Sequence, residues 1–463
     1  MDTILSDKAD GPKYLALAQG LRDRIARGDL AEGAQLPPVR DLAWEAKVTP
    51  GTVARAYRIL TQEGLLEATV GRGTFVAART PRLGPPPPTE AEADFRPVAG
   101  RLDLRSPSLP EVGQVAALGD SLRRVSMKVD AQWLGYVTQS GEAALRAQVV
   151  DWLGARVLGP VSAHDVVLTH GGQSAVTLIL QCVLRGDRPV MLIEDLCYPG
   201  FRYAGRLARA EVHGVALDEQ GIRPDALEAA CRRHMPQVLC LTPDAQNPTT
   251  GRMGQERRRQ IVSIAERYNL QIIEDECYTP RDHDVPTLRA MAPGRVWYVG
   301  SLSKTVSAAL RFGYVLCPSG MGPAGQLAAQ QAYFALSQPV AALCLDLFQS
   351  GAAAEIRARV LEDFTKRSQM AANILGSHDI AWQPGLPFVW LNLPQGWRSS
   401  TFARRAEEAG MLLRPSDHYV MVNGHAPNAV RMALAGDVSL KRLEGGLRDL
   451  AGLLAAPPAD MAV

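Results

Sequence analysis

Apolar runs alternate with helical segments through the middle of the chain, and this alternation constrains the fold more than any other feature. The runs "VLCL", "QIIE" and "VWYVG" are apolar and β-branched in their interiors, as expected of strands covered on both faces. Helical segments of ten or more residues separate them, which is typical of parallel strands joined by right-handed crossovers. The sequence therefore predicts a mainly parallel α/β/α sheet.

Four consecutive prolines, Pro85 to Pro88, divide the chain into two unlike parts. Proline fixes φ and lacks an amide hydrogen, so the run favours an extended linker over a helix or central strand. A surface loop within one domain is the alternative. The strand "PFVWLNL" and the helix around "EIRARVLEDFTKRSQMAANIL" indicate a smaller α+β unit near the end. The predicted segments are a first domain at 11–79, a linker at 80–98, a large domain at 99–345 and a small subdomain at 346–456.

The composition excludes several classes of protein. A chain of 463 residues with 46% hydrophobic and 21% charged residues is typical of a soluble, multidomain protein. Its seven cysteines are scattered without a CxxC pair, so we expect no disulfide framework, no metal site and a cytoplasmic location. We expect no membrane contact, because no apolar run reaches about 18 residues. The formal net charge is only +2, so any DNA contact must be local.

The first part has the pattern of three short helices and a hairpin. "YLALAQGLRDRIARGDL" has apolar residues at helical spacing and stops at Gly28. "LPPVRDLAWEAKV" predicts a second helix with proline in its first turn, and "TPGTVARAYRILTQEGLL" predicts a third. "LLEATVGRGTFVA" alternates around a glycine-rich turn, as in a two-stranded wing. The pattern predicts a winged helix-turn-helix, although ten Lys/Arg against seven Asp/Glu in residues 11–80 leave a protein-interaction module as the alternative.

"LPPVRDLA…VTPGTVARAYRILTQEGLLEATVGRGTFV" resembles the GntR-type winged helix almost end to end. The resemblance implies a role for Arg40 at a phosphate of double-stranded promoter DNA, and for Thr49 and Thr52 at the start of the recognition helix. Pro50 stands where relatives are often basic, and Arg55 or Arg58 could compensate or be plain solvated charges. The expected DNA-binding residues are Arg40, Thr49, Thr52, Arg55, Gly71, Arg72 and Gly73.

An isolated lysine follows the predicted strand "VWYVGS" in the second part of the chain. Ser301 and Ser303 precede Lys304, and Arg311 follows seven residues after it. The hydroxyls and the guanidinium can hold a dianionic phosphate, which leaves Lys304 to condense with an aldehyde. By itself, a lysine in this position would be an ordinary loop residue.

Four other strand ends carry matching chemistry. "LTHGGQSAV" opens a helix whose Gly172 and Gln173 amides can point at a phosphate, and Tyr198 can stack on a ring. Asn247 offers an amide to a ring oxygen, although "NP" alone is a turn signal. Asp275 ends "IIEDECY" at the carboxyl edge of the sheet, where open α/β sheets bind ligands. Glu274 and Glu276 compete for this role, but strand alternation favours Asp275.

Pyridoxal 5′-phosphate needs these groups: a lysine for its aldehyde, a carboxylate for its pyridinium nitrogen, phosphate donors and an aromatic ring. The segments "QNPTT", "RRRQI", "IIEDECY" and "GSLSKT…LRFGY" resemble fold-type I aminotransferases. With the winged helix, the whole chain is similar to the MocR subfamily of GntR regulators. The resemblance implies a Schiff base at Lys304 and a second contact to the ring oxygen O3′ from Tyr278.

Two further residues follow from the same resemblance. "GYVTQSGEAALR" is similar to a family segment whose tyrosine, here Tyr136, reaches the phosphate of the partner subunit, which implies a homodimer with a head-to-tail arrangement. "NAVRMALAG" is similar to the strand whose arginine, here Arg431, binds a carboxylate, although a surface ion pair is the alternative. Ala308-Ala309, Thr250 and Leu196-Cys197 depart from the family pattern, which leaves catalytic competence open.

The sequence is compatible with two functions. One is a transcriptional regulator that senses an amine, an amino acid or pyridoxal phosphate itself through aldimine chemistry at Lys304. The other is a cytoplasmic aminotransferase with an accessory N-terminal domain, in which Lys304 would also move a proton. The winged helix and linker favour the regulator.

Overall fold

The computed structural model describes residues 12–62, 64–69, 73–77, 100–137, 141–278, 285–421, 424 and 426–455. The chain divides into two compact units, Met1–Phe95 and Arg96–Val463. The predicted linker lies outside the described residues, as do Gly71 and Arg72 of the predicted wing. Within the described ranges, no helix is long and apolar enough to cross a membrane.

The first unit consists of three helices and a hairpin. Its elements are α1 (Lys13–Arg27), α2 (Val39–Glu45), α3 (Pro50–Gln62), β1 (Leu66–Thr69) and β2 (Gly73–Val76). α1 ends where Gly28 adopts a φ of 84°, a left-handed conformation that glycine reaches without steric cost. β1 and β2 pair antiparallel, with Leu66 opposite Val76. The predicted winged helix-turn-helix is confirmed.

The proline prediction for the second helix is wrong by one position. Pro38 has an extended ψ of 147°, so α2 begins only at Val39 and its first turn contains no proline. Pro37 nevertheless helps to fix the helix, because its carbonyl accepts a hydrogen bond of 2.8 Å from the Tyr57 hydroxyl of α3. The apolar faces predicted for α1 and α3 are buried together: Leu17, Leu21, Ile25, Val53, Ala56, Tyr57 and Leu60.

The second unit alternates strands and helices along most of its length. Its first half contains β3 (Leu102–Asp103), α4 (Gln114–Ser126), α5 (Ala143–Trp152), β4 (Val166–Thr169), α6 (Gly172–Val183), β5 (Val190–Glu194), α7 (Pro199–Leu207), β6 (Glu211–Val215), β7 (Leu217–Asp218), β8 (Gly221–Ile222), α8 (Pro224–His234), β9 (Val238–Leu241) and α9 (Gln255–Arg267). Its second half contains β10 (Gln271–Asp275), α10 (Leu288–Met291), β11 (Val296–Ser301), β12 (Gly313–Leu316), α11 (Gly322–Tyr333), α12 (Gln338–Gln349), α13 (Ala352–Leu375), β13 (Ile380–Ala381), β14 (Phe388–Asn392), α14 (Ser399–Glu408), β15 (Met411–Leu412), β16 (Arg414–Pro415), β17 (Ala429–Ala433) and α15 (Leu440–Ala455).

Seven strands form the central sheet in the order β4-β12-β11-β10-β9-β5-β6. From β11 to β6 all neighbours pair parallel, whereas β12 runs antiparallel to both β11 and β4. The predicted mainly parallel sheet is confirmed, with β12 as the exception. β12 follows β11 through only a 3₁₀ turn at Ala308–Leu310, and a strand that returns without a crossover helix runs antiparallel.

Helices cover both faces of this sheet. On one face α6, α7 and α11 pack against Ile193, Cys240 and Ile273. On the other face α8, α9 and α10 pack against Leu192 and Ile272. Because helices cover both faces, the interiors of the central strands are apolar, as the sequence predicted.

The smaller part of the unit is built on an antiparallel sheet in the order β13-β14-β17-β16. The predicted strand and helix of this region correspond to β14 and α13. β3, from the start of the unit, pairs parallel with β15, and the Ala433 amide of β17 donates to the Leu104 carbonyl at 2.7 Å. These contacts bring Arg105 beside β17, close to the candidate site.

Candidate functional site

The predicted site residues of the second unit follow the carboxyl ends of neighbouring strands. Asp275 ends β10, Lys304 comes shortly after β11, and Asn247 lies in the loop after β9. Parallel strands end at the same edge of a sheet, so these loops meet there. Gly172 starts α6 directly after β4, at the same edge.

Lys304 is held largely away from water at this edge. Burial, together with the positive charges of Arg431 and Arg311, lowers its pKa to about 8 against an opposing effect from Cys277. The ammonium nitrogen lies 5.8 Å from the centre of the Tyr278 ring. Among the described residues, Lys304 forms no hydrogen bond or ion pair. A considerable fraction of this amine is therefore neutral near pH 8.

The start of α6 forms an open cradle of backbone amides. Gly171 has a φ of 86° and precedes the helix, and no side chain of the described residues caps the helix N-terminus. Arg311 Nη2 donates to the His170 carbonyl at 3.2 Å, and a Cβ on Gly171 would lie only 2.9 Å from this nitrogen. A Cβ on Gly172 would lie 2.6 Å from Cys277 Sγ. Only glycines leave this space free of side-chain atoms. The backbone amides at the start of α6 and the Arg311 guanidinium can donate hydrogen bonds to an anion there.

The hydroxyls and the amide predicted beside this cradle are partly engaged. Ser301 Oγ donates to the Phe312 carbonyl at 2.9 Å and lies 3.0 Å from Ser303 Oγ. Gln173 uses its side chain to donate to the Gly200 carbonyl at 2.9 Å, which connects α6 to the start of α7. The backbone amide of Gln173 lies in the first turn of α6, where no intrahelical acceptor is available to it.

Asp275 is separated from the two glutamates that flank it in sequence. Its carboxylate accepts the Cys277 amide at 2.9 Å, and burial raises its pKa. Glu274 instead accepts the amides of Leu288 and Arg289 at 2.9 Å each, on the other side of the sheet. Glu276 faces Arg156 at 3.5 Å. Of these three carboxylates, Asp275 is therefore the one that lies on the same side of the strand end as Lys304.

Two tyrosines border the site. Tyr198 comes directly before α7 and stays partly exposed, and a Cβ on Gly200 would collide with its ring at 2.2 Å. Tyr278 packs edge to face on Phe388, with ring centres 5.2 Å apart. Burial raises the pKa of both hydroxyls to about 12, so both tyrosines are neutral donors at physiological pH.

Arg431 and Asn247 are joined directly. Asn247 precedes a cis peptide bond to Pro248, and its Oδ1 accepts Arg431 Nη1 at 2.8 Å. Arg431 Nη2 donates to the Arg105 carbonyl at 2.9 Å. The buried guanidinium also lies 5.1 Å from each of the Phe388 and Tyr419 ring centres. Two neutral acceptors orient this cation, and no carboxylate of the described residues pairs with it.

Sequence reasoning missed a buried network of charges behind Asp275. Arg258 donates to Asp244 and, at 3.0 Å, to the Met253 carbonyl, and lies 3.6 Å from Glu274. Arg156 reaches the other oxygen of Asp244 at 2.5 Å. The network links the loop that carries Asn247 to the strand end that carries Asp275. Arg258 lies in the quoted segment "RRRQI", but nothing in its spacing distinguishes it from the neighbouring Arg257 and Arg259.

Tyr136 lies apart from these residues. It is 84% exposed and stacks on Phe334, with ring centres 5.4 Å apart. In the described part of the chain, no hydrogen bond or ring contact joins it to the residues around Lys304.

The candidate DNA-binding residues lie on the first unit. Arg40 is exposed near the start of α2. Thr49 precedes α3, and its Oγ1 accepts the Thr52 amide at 3.3 Å and lies 2.9 Å from Thr52 Oγ1. Arg55 stacks on Tyr14 of α1, with its guanidinium carbon 4.0 Å from the ring centre, so this side chain is engaged within the unit. Gly73 starts β2 with a φ of 116°.

Comparison with known proteins matches both units to families. Residues 13–76 match "Bacterial regulatory proteins, gntR family", and residues 110–438 match "Aminotransferase class I and II". The transcriptional regulator YdeF of Bacillus subtilis, itself uncharacterized, is 28% identical over 97% of this chain and 96% of its own. The probable rhizopine catabolism regulatory protein MocR of Rhizobium meliloti is 27% identical over 68% of this chain and 67% of its own. The chain belongs to the MocR subfamily of GntR regulators.

This MocR-type regulator thus joins a GntR-type DNA-binding domain to an aminotransferase-like domain. The second domain is similar to the crystal structure of LysN, an α-aminoadipate aminotransferase of Thermus thermophilus. That similarity has a TM-score of 0.66 at 25% identity and covers 79% of this chain and 96% of LysN. The fold-type I architecture expected from the sequence is confirmed.

Proposed function

We propose that this MocR-type regulator binds pyridoxal 5′-phosphate at Lys304, senses an amine or amino acid there, and binds promoter DNA through its winged helix. The proposal rests mainly on the environment of Lys304. Lys304 is largely buried and has no hydrogen-bonded or charged partner among the described residues, which is costly unless the site uses it, and a pKa near 8 makes it available as a neutral nucleophile.

The residues around Lys304 fit the cofactor. The cradle at Gly171 and Gly172 is kept free of side chains, and the α6 amides, Ser303 and Arg311 supply donors for a phosphate. The Asp275 carboxylate would accept a hydrogen bond from the pyridinium N–H, and this positive partner would offset the rise in the Asp275 pKa that burial causes.

The remaining contacts of the cofactor also have candidates. Tyr198 would stack on its ring, and Tyr278 and Asn247 would contact the ring oxygen. When bound, the cofactor supplies an aldehyde that condenses reversibly with amines.

The effector would occupy the space between Lys304 and Arg431. Its amine would compete with Lys304 for the aldehyde. An acid group would bind Arg431, whose guanidinium already has a fixed orientation from Asn247 and the Arg105 carbonyl. An effector can shift a conformational equilibrium only by its differential affinity for the two states. Contacts on both sides of the site would stabilise one conformation of the protein and so change DNA binding by the first domain.

We further propose that the regulator is a homodimer. Tyr136 is almost fully exposed, although an aromatic side chain is costly to leave in water. Phe334, which stacks on Tyr136, is exposed with it, as are four apolar residues that precede Tyr136 in sequence: Val115, Leu122, Met127 and Leu134. A second copy that covers this surface would place Tyr136 at the partner's phosphate site, in a head-to-tail arrangement.

A second candidate function is an aminotransferase reaction. The complete set of Lys304, Asp275 and Arg431 favours it, because a sensor that only binds amines does not need a pyridinium partner. In that case Lys304 would also carry a proton between two carbon atoms of the substrate and cofactor.

The decisive experiment compares Lys304→Ala and Arg40→Ala with the native protein in spectral titrations and DNA binding. Lys304→Ala should lose the visible absorbance of the lysine-linked cofactor but still bind the promoter fragment upstream of its own gene. Arg40→Ala should keep the absorbance but bind both this fragment and unrelated DNA more weakly, with a salt dependence reduced by about one charge. Steady conversion of an amino donor to a keto acid, without retention of promoter DNA, would contradict the proposal in favour of the aminotransferase.

A further inference from the structure

Two polar atoms beside the proposed effector site are buried without a hydrogen-bond partner among the described residues. They are the Tyr419 hydroxyl and Arg431 Nε. Tyr419 is only 1% exposed. Native proteins rarely leave buried donors unsatisfied, so each of these atoms needs a partner that the described residues do not provide.

The position of Tyr419 is fixed from both sides. Its carbonyl accepts the Cys197 amide at 3.0 Å. Arg202 of α7 donates to the carbonyls of both neighbouring residues, His418 at 2.6 Å and Val420. The Tyr419 ring contacts Trp390 edge to face, with ring centres 6.4 Å apart, and lies 5.1 Å from the Arg431 guanidinium. The unpaired hydroxyl is therefore held in place and does not rotate freely at the surface.

A second arginine adds positive charge to the same place. Arg414 of β16 lies directly opposite Arg431 of β17, so both side chains are on one face of the sheet. Both donate to the Arg105 carbonyl, Arg431 Nη2 at 2.9 Å and Arg414 Nε at 3.3 Å. Two buried cations that converge on one carbonyl, next to a fixed hydroxyl, produce a positive potential that favours an anion.

We infer that Tyr419 is a specificity residue of the effector site and that its hydroxyl donates to the carboxylate bound by Arg431. The effector is then a carboxylate-bearing amine, such as an amino acid, and not a simple amine. Both atoms are shielded from water, so water satisfies neither of them and both remain available to the effector carboxylate. The inference rests on the proposed function, since it assumes that amines bind at the cofactor.

The test uses pairs of amines that differ only by the carboxylate. L-leucine with 3-methylbutylamine, and L-alanine with ethylamine, are titrated into the cofactor-loaded full-length protein, and the visible spectrum of the cofactor is followed. The native protein should bind the amino acid of each pair more tightly. Tyr419→Phe should weaken binding of both amino acids by about 5- to 10-fold, the value of one hydrogen bond, and change binding of the simple amines by less than about twofold.

Two other variants make the result specific. Tyr268→Phe is the matched control, because it removes a hydroxyl at the opposite edge of the sheet, where it accepts a hydrogen bond from Arg232 Nε at 3.0 Å. This variant should change the binding of neither the amino acids nor the simple amines. Arg414→Gln keeps the hydroxyl but removes the charge, and should again weaken only the amino acids. Equal effects of Tyr419→Phe on both members of a pair, or no preference of the native protein for the amino acids, would overturn the inference. A native protein without lysine-linked absorbance would instead contradict the proposed function.

Discussion

Lys304 can keep a lowered pKa because no acidic residue in the described part of the chain pairs with it. A lysine in an ion pair keeps its proton at physiological pH, whereas burial and two nearby arginines lower the pKa of Lys304 to about 8. The sequence already contains this arrangement, because few charged residues surround Lys304 apart from Arg311. Arg431 was predicted for a carboxylate, and its effect on the lysine becomes evident only once the fold brings the two together.

The pH dependence of cofactor binding should follow this pKa. Addition of pyridoxal phosphate to cofactor-free protein should become faster as the pH rises through about 8, because only the neutral amine attacks the aldehyde. Visible absorbance, recorded from about pH 6.5 to about pH 9.5, measures the rate. Arg431→Gln should move the midpoint to higher pH, since it removes a positive charge that disfavours the ammonium form. A midpoint that stays the same in this variant would contradict the assigned cause.

At the scale of elements, the buried charge network holds two site-bearing segments together. Asp244 lies in the loop after β9 and is bound by Arg258 of α9 and by Arg156, which follows α5. Arg258 also lies near Glu274 at the end of β10. Three separate elements thus fix the loop that carries Asn247 relative to the strand end that carries Asp275.

Removal of Arg258 should therefore be strongly destabilising. Arg258→Met leaves Asp244 and Glu274 buried with one cation fewer, and we expect the free energy of unfolding to fall by about 3 kcal/mol or more. Urea unfolding measures the change. Arg259→Met is the matched control in the next position, because Arg259 is exposed and pairs with Glu256 at 3.1 Å, and its effect should stay within about 0.5 kcal/mol. Similar losses for the two variants would rule out the network as a main source of stability.

Sequence patterns predicted what depends on local periodicity. The helical faces follow from the 3.6-residue period of a single segment. The strand runs and the choice of Asp275 over Glu274 and Glu276 follow from the two-residue period of a strand. Tyr419 and the partners of Arg258 could not be found in this way, because the contacting residues come from distant segments. The direction of β12 also needed the structure, since the sequence does not show that the connection after β11 contains too little helix for a crossover.

At the scale of the whole molecule, the exposed apolar surface around Tyr136 requires an explanation. Leu134 is 91% exposed, and Met127 and Phe334 are also largely uncovered. Single exposed apolar residues are common, but a group of them marks a contact surface. The proposed dimer would cover this surface and also complete the site at Lys304, because Tyr136 would reach the partner's cofactor phosphate.

Leu134→Asp should separate the two subunits without unfolding either. In a monomer this position faces water, so the charge costs little, whereas in the dimer it would be buried without a partner. Sedimentation at several protein concentrations should show a shift to monomer, together with weaker cofactor binding and loss of tight binding to DNA with two half-sites. Leu207→Asp is the control, because Leu207 is 75% exposed on α7 and should tolerate the charge without dissociation. If Leu134→Asp stays dimeric with full cofactor affinity, the subunits associate through a different surface and Tyr136 has no role in the partner's site.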